Sequence, residues 1–168
     1  EFRASLLYIK ENADIAILKI NDSDFTSSGP LPYSIRKNTA DLGEPLFTLG
    51  YPRNEIVYNE GYMSAKTGYN NDTVTCQIGV LANPGNSGGP VFNKNGEIIG
   101  IINTRLLQAD GVVFAVTSKN ILRAIDEVRK NDSTAKNLKA PSSNNTKGYE
   151  RPQQIRKIQD FVYMVKSY

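Results

Sequence analysis

The chain has 168 residues, 39% of them hydrophobic and 22% charged, and a net charge of +3. It is long enough for one domain with a substantial core, or a small domain plus a tail, and its composition is that of a globular chain. The slight, scattered positive charge leaves no nucleic-acid footprint, no apolar run reaches the length of a membrane span, and the single cysteine, Cys76, forbids an internal disulfide. The first residues, Glu1-Phe2-Arg3, do not read as a signal peptide, which a mature or truncated chain would have lost. Histidine is absent from the whole chain.

In chain order, Phe2 to Ile9 reads as a strand, Lys10 to Ala13 as a turn, and Asp14 to Ile20 as a second strand. This second strand is apolar on both faces, with Ile15 and Ile17 on one and Ala16, Leu18 and Ile20 on the other. It should therefore be covered from both sides, and two strands alone cannot bury themselves without a partner sheet. Residues 21–34, rich in Asn, Asp, Ser, Gly and Pro, read as a surface connector. Further strands are expected at Leu46–Leu49, Ile56–Tyr62, Met63–Lys66, Thr73–Ile78 and Gly111–Val116. Many short strands divided by turn signals argue for a mostly β antiparallel barrel or sandwich. Ser118–Arg129 is the clearest helix, with Ser118 at the N-cap position and Ile121, Leu122, Ile125 and Val128 on one face. Lys130 to Gln154 is polar and reads as a linker, after which Ile155 to Tyr168 regains apolar, helix-like spacing.

One loop stands apart. Gly85-Asn86-Ser87-Gly88-Gly89-Pro90 is poor material for a helix or a strand interior, so it forms a tight loop whose glycines reach unusual backbone angles and admit another chain. Behind it, Val91 to Ile102 reads as a strand, an Asn95-Gly96 hairpin turn and a second strand. A serine exposed on such a loop resembles the nucleophile loop of the trypsin-like serine peptidases. Other pieces resemble the HtrA/DegP branch of that family. Asp14 to Ile20 is similar to the strand bearing its triad aspartate, and Leu42-Gly43-Glu44-Pro45 with Leu49-Gly50-Tyr51-Pro52 to the opening of its second barrel. Gly61-Tyr62-Met63-Ser64, Gln77, Asn83, Gly96 to Thr104 and Phe114-Ala115-Val116 also fall in the family's order. The resemblance covers residues 2–129.

It implies a complete C-terminal barrel, two strands of an incomplete N-terminal barrel and a closing C-terminal helix. The expected divisions are 1–20 for the remnant strands, 21–43 for the connector, 44–130 for the barrel, 131–154 for a linker and 155–168 for an amphipathic end. By the same resemblance Ser87 is the nucleophile, the N–H groups of Gly85 and Ser87 flank Asn86 as an oxyanion hole, and Asp14 orients the triad histidine. Leu81, Ala82 and Asn83 would floor the specificity pocket, with Ile102, Asn103 and Thr104 as a wall to which an extended peptide adds as a strand. Leu81 and Ala82 can equally be read as core residues.

The family's histidine lies upstream of the aspartate, in strands that this chain does not contain. A serine without a base is a weak nucleophile, so the chain alone is expected to lack triad catalysis. The expected partners are a peptide or protein substrate, and a missing N-terminal segment or a second copy pairing with residues 2–20. A pseudo-peptidase that binds peptides without cutting them is the alternative. No metal cluster and no phosphate-binding glycine loop is present in the sequence, and no cofactor is expected. The resemblance favours a bacterial periplasmic or other extracytoplasmic setting.

Overall fold

The computed structural model describes residues 1–103 and 112–168. Among these, the strands are β1 (Ala4–Lys10), β2 (Ile15–Ile20), β3 (Pro45–Gly50), β4 (Val57–Ala65), β5 (Thr75–Ile78), β6 (Pro90–Asn93), β7 (Ile98–Asn103) and β8 (Val113–Thr117). Two α-helices follow, α1 (Ser118–Asn131) and α2 (Arg151–Ile158). β1 and β2 form a separate antiparallel hairpin, while the other six strands close into an antiparallel barrel in the order β3-β4-β5-β8-β7-β6. The architecture is therefore mostly β, as the sequence leads one to expect.

Alternation along each strand gives the barrel two apolar surfaces. Leu46, Met63, Cys76, Val91, Ile102 and Ala115 fill its interior. Phe47 and Leu49 on β3 and Phe92 on β6 face outward, and Ile158 of α2 and Val162 cover them. The Phe47 and Phe92 rings stack at 5.0 Å, and the Arg151 guanidinium lies 3.8 Å above the Phe47 ring. On another side of the barrel, Ala13 and Ile15 pack with Val116 and with Ile121 and Ala124 of α1. The Tyr8 hydroxyl and the Lys10 ammonium both bond Glu127 on α1, which ties the hairpin to that helix. Leu6, Ile9 and Leu18 are exposed.

Several elements differ from their expected bounds. The two strands expected at 56–66 are one strand, β4, whose register against β5 slips between Met63 and Ala65 so that it bends around the barrel. α1 begins at Ser118 with Thr117 as its extended N-cap residue, and the Thr117 hydroxyl accepts from the Asn120 amide. α2 begins at Arg151, ahead of the apolar run, because Glu150 and Gln153 form a reciprocal capping box and Pro152 sits in the first turn. The polar tract before it has a structural use. Asn144 and Thr146 side chains donate to the Asn95 carbonyl at 2.8 and 3.0 Å, and Gln154 donates to the Lys94 carbonyl at 2.9 Å. These polar groups, of which Thr146 and Gln154 are buried, satisfy the β6–β7 turn and hold α2 against the barrel wall.

Candidate active site

The serine loop is a set of backbone clamps. Asn86 N–H donates to the Asn83 carbonyl at 3.0 Å, and Gly89 N–H donates to the Asn86 carbonyl at 2.9 Å. Gly88 N–H donates to the Ile102 carbonyl and Ile102 N–H to the Gly89 carbonyl, both at 2.9 Å. The loop is thus tied to the end of β7 by a reciprocal pair. Gly85 takes a φ of +97° against the Tyr51-Pro52 backbone, where a Cβ would lie 2.6 Å from the Pro52 Cα. Only glycine satisfies both constraints. Asn86 is fully buried, and its side-chain oxygen fills the space that a Cβ on Gly50 would occupy, 2.8 Å away. Neither polar atom of the Asn86 amide has a hydrogen-bond partner among the described residues.

Asp14 arrives from the opposite side. The turn Glu11–Ala13 ends on it in the left-handed region, at φ 52° and ψ 44°, with its N–H donated to the Glu11 carbonyl at 3.1 Å. Aspartate tolerates this conformation better than most residues, and buried Ala13 pins the turn beneath it. Asp14 and Ser87 come from separate elements yet line one cleft of about 320 Å³, together with Gly88, Ile101, Ile102 and Asn103. A second cleft of about 570 Å³ shares Ser87, Gly88 and Ile101 with the first. Gly50, Tyr51, Gly85 and the C-terminal residues Phe161–Val165 line it. Tyr33 also faces this second cleft, and burial pushes its phenol up to about 12, so it stays neutral at physiological pH.

The remaining expected residues are distributed less evenly. Leu81 is 78% exposed and Ala82 packs partly against the barrel core, so Leu81 is not a core residue. Neither lines the described walls of the two clefts. Asn83 is exposed and serves the loop through its carbonyl. The Ile102 side chain is buried in the barrel, and its N–H is already donated to Gly89. Thr104 lies outside the described residues. Sequence reasoning gave no role to Gly50, Tyr51 and Pro52, which buttress the serine loop, nor to the C-terminal segment. The signal for the first was the glycine–proline pair. For the second it was apolar spacing with no indication of direction.

Against known proteins, the family profile described as trypsin-like peptidase domain matches residues 1–101. A probable periplasmic serine endoprotease DegP-like of Pseudomonas savastanoi pv. phaseolicola is 37% identical over 123 residues, covering 69% of this chain and 25% of that protein. Serine protease HTRA1 of Xenopus tropicalis is 32% identical over 148 residues, covering 82% of this chain and 31% of that protein. Among solved structures, the serine endoprotease from Yersinia pestis is similar at a TM-score of 0.60 and 26% identity, over 76% of this chain and 44% of that one. The chain therefore spans only 25% and 31% of those two relatives. A matching profile over more than half the chain, an antiparallel barrel and a glycine-clamped serine loop lead to one assignment: the chain belongs to the trypsin-like peptidase family, in its HtrA branch.

Proposed function

We propose that this chain is part of a serine endopeptidase that cleaves peptide bonds through an acyl-enzyme. The observation that carries the reading is the cleft shared by Asp14 and Ser87, which the fold assembles from two separate elements. Ser87 Oγ attacks the scissile carbonyl and forms an ester, and the leaving amine takes the proton that the serine gave up to a base. Gly85 and Ser87 supply N–H donors to the oxyanion, and each such donor is typically worth about 100- to 1000-fold in rate. In support, Gly85 N–H has no acceptor among the described residues. Asp14 orients the base, a histidine that another segment must supply because this chain has none. Loss of one triad member typically costs about a million-fold in kcat, so the chain alone is inactive in this reading.

The exposed Leu6, Ile9 and Leu18 support a further element of the proposal. The outer face and edges of the β1–β2 hairpin pair with an upstream segment that brings the histidine, or with a second copy of this chain, which would cover the hairpin but supply no histidine. The periplasmic description of one bacterial relative favours an extracytoplasmic setting.

Fluorophosphonate labelling tests the reading. The protein purified with its upstream segment should label at Ser87, Ser87→Ala should not, and this chain alone should label poorly. Absence of labelling in the assembled protein overturns the peptidase reading in favour of the pseudo-peptidase.

A further inference from the structure

Ser87 stands where two clefts meet, and only one of them is accounted for by the triad. The smaller cleft holds Asp14 and the end of β7, where an added peptide strand would lie. A peptide held at a nucleophile must extend to both sides of its scissile carbonyl. Its second half then enters the larger cleft, which begins at Gly85 and Tyr51 and is closed by the chain's own C-terminal segment.

That segment is fixed at intervals. Val162 is buried against the Phe47–Phe92 cluster, and the Phe161 ring meets Tyr33 edge-on at 6.4 Å. Tyr163 meets Phe25 at 6.3 Å, and the Lys166 ammonium bonds the Glu1 carboxylate at 2.6 Å. Between these anchors Met164 is 40% and Val165 70% exposed, and both line the cleft. A restrained segment that presents apolar side chains to an open cleft, rather than to its own core, is suited to an apolar ligand. No charged side chain is found on the cleft's described walls.

We propose that the C-terminal segment forms the leaving-group wall of the substrate cleft, with Tyr163, Met164 and Val165 selecting apolar side chains beyond the scissile bond. The term leaving-group wall rests on the peptidase reading, whereas an apolar wall within reach of residue 87 does not.

A Ser87→Cys variant separates the two, because its thiol reports on the cleft without any catalysis. The probes are N-ethylmaleimide and the bulkier, apolar N-(1-pyrenyl)maleimide, and the readout is the ratio of their rates. Cys76 is silent in this assay, since it is buried and its thiol is pushed up to about 11. The pyrenyl-to-ethyl ratio should fall about tenfold when Met164→Glu and Val165→Glu are added, the usual scale for losing one or two apolar contacts in a pocket. Ending the chain at Val162 should lower it similarly. A ratio within twofold of the Ser87→Cys parent in either variant overturns the proposal. Failure of the peptidase reading would show instead in the fluorophosphonate experiment, which leaves this ratio untouched.

Discussion

Ile158→Ala tests whether the C-terminal region is part of the barrel's core. Ile158 is 0% exposed and lies against Phe47, Leu49, Phe92 and Val162. The stacked phenylalanines are themselves fully buried and cannot slide into a vacated space without losing their own contacts. Truncation should therefore cost near the middle of the large-to-small range, about 3 kcal/mol. For a chain of this length that loss lowers Tm by roughly 6–12 °C. Urea titration read by far-UV circular dichroism and by tyrosine emission is the natural assay, since the chain has nine tyrosines and no tryptophan. Both probes should give one coincident transition at a lower midpoint with an unchanged slope. A loss below about 1 kcal/mol would mean that α2 contributes little to the core, contrary to its complete burial. Two separate transitions would likewise refute the argument, by making α2 an independent unit.

Other outcomes follow from single contacts. Gly61→Ala should destabilise by about 3 kcal/mol in the same urea assay, because its Cβ would lie 1.8 Å from the Gly79 carbonyl oxygen on the neighbouring backbone. Asp72 has a carboxyl that burial tends to raise, yet the Thr75 hydroxyl and the Val74 and Thr75 N–H groups hold it below its ordinary value of 3.8. A depressed folded-state value means that its stabilisation is present above the unfolded value and is lost as pH falls through the folded one. The midpoint advantage of the parent over Asp72→Asn, about 1 kcal/mol or less at this half-buried site, should therefore shrink between pH 5 and pH 2. Cys76 should resist a thiol reagent at pH 8 in the folded protein and react at once in urea, since burial pushes its thiol up to about 11. Rapid reaction of the folded protein would contradict the packing of the barrel interior.

The sequence by itself determined the pieces whose physics is local. Glycines around Ser87 announce a loop with unusual backbone angles, and φ is indeed positive at Gly85 and Gly88. Turn signals between short runs marked the strands, and a 3.6-residue apolar period marked α1. The family resemblance followed from the same local motifs, because these are short and adjacent in the chain. Tertiary structure decided what depends on distance in space. Nothing local says that Asp14 and Ser87 share a cleft, because the hairpin and the serine loop meet only through the packing of α1 and the barrel. Nor does the composition of 131–154 reveal its contacts. Asn144, Thr146 and Gln154 look like surface residues until the β6–β7 carbonyls they satisfy are brought beside them. The direction of the C-terminal segment is the same kind of fact. Apolar spacing requires that Ile158 and Val162 be buried somewhere, but only the outward-facing Phe47 and Phe92 fix where, and so bring Met164 and Val165 to the cleft beside Ser87.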